Sequence, residues 1–389
     1  MRMAGLHTYI DGPNICLGFA SSASLWLSHW KDKPRWHSVH RRVVPATAAE
    51  ARATLTGEAL QAALATICPG ARGVRLHVIT STPAHNDFDS PVSFHTWQGE
   101  FPEGAFVQTE SGLLVASPAL TVLMAAQHFS LPEVAELINA LYATYCIDEK
   151  GELVKRANPV LTPERLKAFL DSMPAGTRGL DRARRAMTIA RPGSESPKES
   201  PVAVVVAMDV RSGGAGIRDL ELNPELYVPE GARMFVSTDT VRFDGFVPRN
   251  EAKRRRCDVA YDFDSIEYHT WRGYTATGGG ASVAGMRDAS GRDVINHDSR
   301  RRSGAREMGV EVVTFTTDDV ADEGVFYAKI DQLRRLCGMQ DVVVTPELRS
   351  RRAELHKLML SNLRFALRLE ERLERAIQVS AWHKQPRRG

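Results

Sequence analysis

Cysteine is scarce and unpatterned. The five, Cys16, Cys68, Cys146, Cys257 and Cys337 in 389 residues, are odd in number and match neither a disulfide framework nor zinc-ligand spacing. They are expected as reduced core residues. No run of about 18 apolar residues, the length a membrane helix needs, occurs in the chain. The opening MRMAGLHTYIDGPN has no apolar centre of the kind a signal peptide carries. The cytoplasm is therefore the expected compartment, with no membrane partner. A phosphate-binding loop is missing too, because Gly278 to Gly280 with Gly285 lack the Gly-Lys-Ser/Thr ending. Nucleophile elbow, dinucleotide fingerprint and solenoid-length repeat are also missing. Nor is there a large excess of one charge: the net value of +3 is too small to establish a nucleic-acid partner by itself.

What is present is a globular composition, 43% hydrophobic and 25% charged, in a chain long enough for two or three domains. Its positive charge is clustered, at Lys253 to Arg256, Arg300 to Arg302, Arg349 with Arg351 and Arg352, and Arg387 with Arg388.

Up to about residue 115, short strands alternate with turns. Val74 to Thr80, Phe106 with Val107, and Leu113 to Ala116 read as strands, Ser21 to Trp30 as a serine-capped helix, and His85 to Gly104 as loop. From Ser117 the pattern turns helical. Ser117-Pro118 and Ser130-x-Pro132-Glu133 each look like a cap opening a helix, the second running through VAELINALYATYC. Thr162-Pro163-Glu164 opens another, and Gly179 to Ala190 a basic one with Arg182, Arg184 and Arg185.

RPGSESPKES, residues 191 to 200, is the best linker. It holds a conflict: Ser196 and Glu199 have capping-box spacing and Pro197 suits the first helical position, whereas Pro201 and the VAVVV run at 202 to 206 favour an extended chain. Further on, Ser212 to Gly216 reads as a flexible turn, and Met234 to Val236 with Val241 to Phe246 as a hairpin. Beyond Val320 the chain is helical again, Thr345-Pro346-Glu347 opening a long helix towards Ala381 with Leu348, Leu355, Leu358, Met359 and Leu363 on one stripe. The organisation expected is 1–190 as an α/β region, 191–330 as a second α/β domain and 331–389 as a helical tail.

The richest stretch is Arg256 to Val320. Val259 and Tyr261, then Ile266 and Tyr268, alternate with polar residues as half-buried strands do, and Asp262-Phe263-Asp264 reads as the reversal between them. An even loop sets Val259 against Ile266 and Cys257 against Tyr268, bringing Asp258 opposite Glu267 on the other face, which His269 shares. Asp298 is placed to cap a helix that ends at Gly309, and Val310 to Phe315 reads as a buried strand. Strand, helix, strand in that order implies a crossover to a parallel neighbour.

Asp258 at one strand end, Ile266-Glu267-Tyr268, the Asp298-x-x-Arg301 helix start, Gly309 with VEVVTFT, and Ser196-Pro197-Lys198-Glu199 upstream together resemble the restriction-endonuclease-like superfamily. Its core motif is written PD-(D/E)XK, and the likeness is to its very-short-patch-repair-like branch. The resemblance spans roughly 130 residues and implies a mixed sheet flanked by helices. Two departures stand out: Arg256 or Cys257 occupies the proline position, and His269 the lysine position. The N-terminal half, from SSASLW through LLVASPALTVLMAA, is similar to the N-terminal regions of abortive-infection antitoxin-like proteins.

Hydrolysis of a phosphodiester needs an activated water and positive charge at the phosphate. The resemblance implies Mg²⁺, or Mn²⁺, held by Asp258 and Glu267 with Glu199 completing the shell, and His269 beside the attacking water. Asp298 is a supporting residue. Arg254, Arg255, Arg256, Arg300, Arg301 and Arg302 would neutralise DNA phosphates. The plainer reading stands beside this one: Asp258 and Glu267 as solvent-facing acids of an edge hairpin, Asp298 as a helix cap, and the arginines as solvated faces. The rival function is a nuclease-like module without catalysis that binds nucleic acid or a partner protein, as an antitoxin or regulator would. A third is self-association through the C-terminal helix.

Overall fold

The computed structural model describes residues 13–27, 36–67, 75–84, 90–110, 112–147, 153–236, 238–253, 255–264, 300–363 and 375. The chain has a mixed α/β architecture. It divides into two compact units, one ending at Ala190 and the other comprising Arg191–Leu363. Among the described residues no helix is long and apolar enough to cross a membrane.

The first unit is built on a six-stranded mixed sheet. Its strands are β1 (Cys16–Leu17), β2 (His37–Ser38), β3 (Leu76–Thr80), β4 (Val92–Thr96), β5 (Phe106–Gln108) and β6 (Leu114–Ala116), in the order β2-β5-β6-β1-β3-β4. The helices are α1 (Phe19–Leu27), α2 (Ala48–Thr54), α3 (Gly57–Ile67), α4 (Pro118–Ala125), α5 (Leu131–Tyr142), α6 (Pro163–Ser172) and α7 (Leu180–Ile189). Caps explain several starts: Ser117 accepts from Leu120 N–H, and Ser130 with Glu133 forms a reciprocal capping box.

Three expectations change here. Strand β4 lies inside the stretch read as loop, where its pairing with β3 supplies the backbone partners that weak periodicity conceals. Helix α1 begins at Phe19, so Ser21 and Ser22 are buried within it rather than capping it, and Ser21 accepts from His77 N–H instead. Helix α5 stops at Tyr142, and Tyr145–Ile147 (β7) pairs with Leu153–Lys155 (β8).

In the second unit, α8 (Glu199–Ala207) settles the conflict over VAVVV. All nine of its residues are buried. A helix apolar all round belongs in a core, and that burial outweighs the roughly 0.5 kcal/mol by which each valine disfavours a helix. Pro201 sits in the first turn, where its missing N–H costs nothing. The SGGAG turn then folds back, Ala215, Gly216 and Ile217 donating to the carbonyls of Val205, Met208 and Val206. Gly214 is required there, since a Cβ would fall 2.3 Å from the Met208 carbonyl oxygen.

A two-stranded ribbon of β9 (Leu226–Tyr227) and β10 (Thr240–Val241) follows. It replaces the expected hairpin: Met234 to Val236 lies in a turn, and Leu226–Tyr227 provides the partner strand. A three-stranded sheet comes next, β11 (Gly245–Val247), β12 (Asp258–Asp264) and β13 (Val310–Thr316), with β12 central. Strand β12 pairs antiparallel with β11 and parallel with β13, as the strand, helix, strand order requires. Between the parallel strands, α9 is helical over residues 300–307 and ends before Gly309, at φ +74°. Residues α10 (Thr317–Ala321), α11 (Glu323–Leu336) and α12 (Pro346–Leu363) complete the unit.

Helix α12 packs into this unit. Leu348, Arg352, Leu355, His356 and Met359 are buried, Arg352 is paired with Asp331 at 2.7 Å, and His356 meets the Val320 carbonyl at 2.9 Å. Leu348, Leu355 and Met359 of the apolar stripe are thus used within the unit, and Leu358 is half-buried.

Candidate active site

Strand β12 does not turn at Asp262-Phe263-Asp264. It runs straight through them, paired residue by residue with β13 from Asp258↔Val310 to Asp264↔Thr316. The expected reversal fails because two neighbouring strands supply ladder partners that a pair of aspartates in sequence does not reveal. The hairpin partners Ile266 and Tyr268, and the site candidates Glu267, His269, Asp298 and Arg254, lie outside the described residues.

The two acids of β12 have different surroundings. Asp258 stands at the entry of the strand, half-buried, and its Oδ1 accepts the Arg249 backbone N–H at 2.6 Å. Asp262 lies four residues further along, about 13 Å away in an extended chain. There it stands beside Asp244, whose carboxyl also feels Glu199. Asp244 immediately precedes β11, one step beyond the Gly245↔Tyr261 pair, so it stands opposite Asp262. Its backbone N–H donates to Asp262 Oδ1 at 3.3 Å, while its own Oδ2 accepts from Phe263 N–H at 2.6 Å. Glu199 enters from the first turn of α8, 5% exposed. Its Oε2 accepts from Glu195 N–H at 2.8 Å and Asn223 Nδ2 at 2.7 Å.

The electrostatics follow from this packing. Burial, then the charges of Glu199 and Asp262, push the Asp244 carboxyl well above its ordinary range, against the pull of the Phe263 N–H and Arg301. Burial also raises Glu199, partly offset by hydrogen bonds from Glu195, Ser196 and Asn223. One arginine enters the group. Arg301 of α9 contacts Asp262 at 3.2 Å, donates to the Arg242 carbonyl, and lies over the Phe243 ring at 5.4 Å. Burial and the neighbouring negative charges outweigh Arg301, so Asp244 and Glu199 stay protonated to higher pH than exposed carboxyls do.

Of the residues expected to ligate a metal, the structure therefore places Glu199 in an acid group and Asp258 at the other end of the strand. Asp244 and Asp262 were missed. A signal for Asp244 existed in the apolar flanks of Val241-Arg242-Phe243-Asp244-Gly245-Phe246, an acid at the mouth of a buried strand. Among the described residues, no group of three or more His, Cys, Asp or Glu side chains is arranged so that it could hold a metal ion. The Asp262 carboxylate is engaged by Arg301 and the Asp244 N–H, and for Glu199 and Asp244 the hydrogen bonds fall on one oxygen each.

The basic residues divide as well. Arg255 is 2% exposed, donates to the Pro248 carbonyl and pairs with Asp219 at 3.4 Å, so it is an interior strut rather than a phosphate contact. Its guanidinium is buried because the isolated bridge Asn250↔Arg255 turns the residue inward. Arg256, Arg300 and Arg302 are exposed, and Arg301 is half-buried against Asp262. Compared with protein-family models, characterised proteins and solved structures, the chain finds no match.

Proposed function

We propose that the unit Arg191–Leu363 has a restriction-endonuclease-like fold and acts as a Mg²⁺-dependent endonuclease on DNA, with Glu199, Asp244 and Asp262 as its acid set. The observation that carries this reading is that Asp244 stands opposite Asp262 at the end of β12 and that the charges of Glu199 and Asp262 both act on its buried carboxyl, with Arg301 paired to Asp262. Such clustering costs stability unless something positive relieves it. An all-oxygen donor set suits a hard divalent ion. When bound, that ion would supply positive charge at the phosphate and lower the pKa of a water.

The chain's own residues have separable tasks. Asp244 and Asp262 would hold the ion, with the Phe263 N–H orienting Asp244 through Oδ2. Asn223 and the Glu195 N–H fix Glu199 through Oε2. Arg301 neutralises Asp262 in the absence of the ion and is placed to meet a phosphate oxygen once released. Arg256, Arg300 and Arg302 would track the DNA backbone, a contact that weakens with salt.

A second reading is favoured by one observation: the cation beside Asp262 is an arginine already paired, where a nuclease of this type would use a lysine. It is a module that binds nucleic acid or a partner protein without cleaving. Incubation of the full chain with plasmid DNA and Mg²⁺ or Mn²⁺ decides. Nicking that is lost in Asp244→Asn supports the nuclease. DNA binding with no cleavage, indifferent to the metal, supports the module.

A further inference from the structure

The second unit holds a cavity of about 800 Å³. It is lined by Asp209, Arg211 and Ser212 in the turn after α8, by Arg334 of α11, and by Met339 and Gln340 just beyond that helix. Arg334 is buried, at 8% exposure. Its guanidinium donates to the Ala215 carbonyl and, at 3.0 Å, to the Gln340 carbonyl. Both partners are neutral. Two aspartates act on its charge, Asp331 and Asp341, and each is taken by another arginine: Asp331 accepts from Arg352 through both oxygens, at 2.7 Å and 3.0 Å, and Asp341 lies 3.6 Å from Arg335. Among the described residues, Arg334 is therefore a buried cation without a carboxylate of its own. Burying a charge in that state costs stability unless a counter-charge arrives. Arg211, exposed in the same lining, brings a second guanidinium. The acid in the lining, Asp209, is already neutralised by Arg218 at 2.6 Å.

We propose that this cavity binds the phosphate group of a small phosphorylated molecule, held between Arg334 and Arg211 with the Ser212 hydroxyl as a further donor. A guanidinium carries five N–H donors in a planar fork that matches phosphate oxygens, so the two bonds to carbonyls leave Arg334 with donors to spare. A concave lining of this volume suits a small molecule rather than the side of a duplex. Met339 offers apolar surface, and the Gln340 amide a polar group, to the rest of the ligand. The site shares no residue with the acid set and needs no metal.

Calorimetric titration of the full-length protein with inorganic phosphate at low ionic strength tests the site. Wild type should bind. Arg211→Ala, which alters an exposed side chain, should weaken binding about tenfold through the loss of one charge-assisted contact, with an unchanged melting temperature. Arg334→Gln should weaken it at least as much, and it also unties two carbonyls, so Arg211→Ala is the variant that decides. Asp209→Asn should tighten binding about threefold by removing a negative charge from the lining. Arg165→Ala, at an exposed arginine of the first unit, should change nothing. No binding by wild type overturns the site, and so do equal losses in Arg211→Ala and Arg165→Ala, which would mean diffuse attraction to positive surface. Displacement of the phosphate by a short DNA duplex overturns the assignment to a small molecule.

Discussion

The two ends of strand β12 carry the same residue type and have opposite characters. At the entry, Asp258 is satisfied by the Arg249 backbone N–H. At the exit, Asp262 pairs with Arg301 and stands opposite Asp244, whose buried carboxyl also feels buried Glu199. An aspartate that stabilises a loop needs one donor and access to water. A set of acids pressed together costs stability, and a fold retains it where something that binds relieves the repulsion. Chemistry is therefore expected where the acids conflict rather than where one is content.

The largest effect separates these ends directly. Asp262→Asn or Asp244→Asn should lower Mg²⁺-dependent nicking of plasmid DNA by at least about 100-fold, the upper range for outer-shell losses that ligands themselves should exceed. Asp258→Asn should stay within about twofold of wild type, since its task is one hydrogen bond from a backbone N–H. Equal losses at both ends would erase the distinction.

The next effect concerns packing at the exit. Gly245→Ala drives a methyl group into the Tyr261 ring, an overpacking that should cost about 1–3 kcal/mol. Chemical denaturation should show a lower midpoint with unchanged slope. A variant as stable as wild type would mean that the ring is free to move aside.

Smaller still is a pH effect with a definite sign. Glu199 and Asp244 are raised by folding, so the folded protein binds more protons than the unfolded one above the ordinary carboxylate range. Their contribution is fully present below about pH 4, the unfolded value, and is lost as pH rises towards the raised folded values. In the metal-free protein, Asp244→Asn should thus flatten the decline in stability above pH 4 and raise the melting temperature at neutral pH, by about 2–4 °C for each kcal/mol relieved. A steeper decline in the variant would reverse the assignment. Mg²⁺ should give wild type the same relief.

The smallest contrast is within the basic run beside the entry. Arg256→Ala should weaken DNA binding and lower its salt dependence by about one phosphate contact. Arg255→Ala should destabilise the fold by about 1–3 kcal/mol through the stranded Pro248 carbonyl and the half-released Asp219, with the salt slope of the remaining folded protein unchanged. Filter binding over a salt series, together with thermal melts, separates the two.

Much of the frame was legible in the chain because local chemistry decides it. Ser117, Ser130 with Glu133, and Thr162 fix helix starts by side-chain hydrogen bonds within four residues. Gly309 ends α9 by its left-handed backbone, and the parallel pairing of β12 with β13 follows from the order of elements. The capping-box spacing from Ser196 survives only as the Ser196 Oγ contact to Glu199 N–H, because the helix starts at Glu199 with Lys198 before it rather than at Pro197. The rest depended on partners far away in sequence. Asp262 looked like a turn because aspartates favour turns, and only pairing with residues some fifty positions on makes it strand. Asp244 carried no motif until Gly245 was seen beneath Tyr261. Arg255 looked like its neighbours in a run of arginines, and one bridge to Asn250 turns it inward.

The most direct measurement is a crystal of the full chain soaked in Mn²⁺ and recorded at a wavelength where manganese scatters anomalously. The expected result is an anomalous peak coordinated by Asp244 and Asp262, with Glu199 beside it and Arg301 moved off Asp262. A peak at Asp258 alone, or none at the exit of β12 with the Arg301–Asp262 pair intact, would contradict the assignment of the acid set.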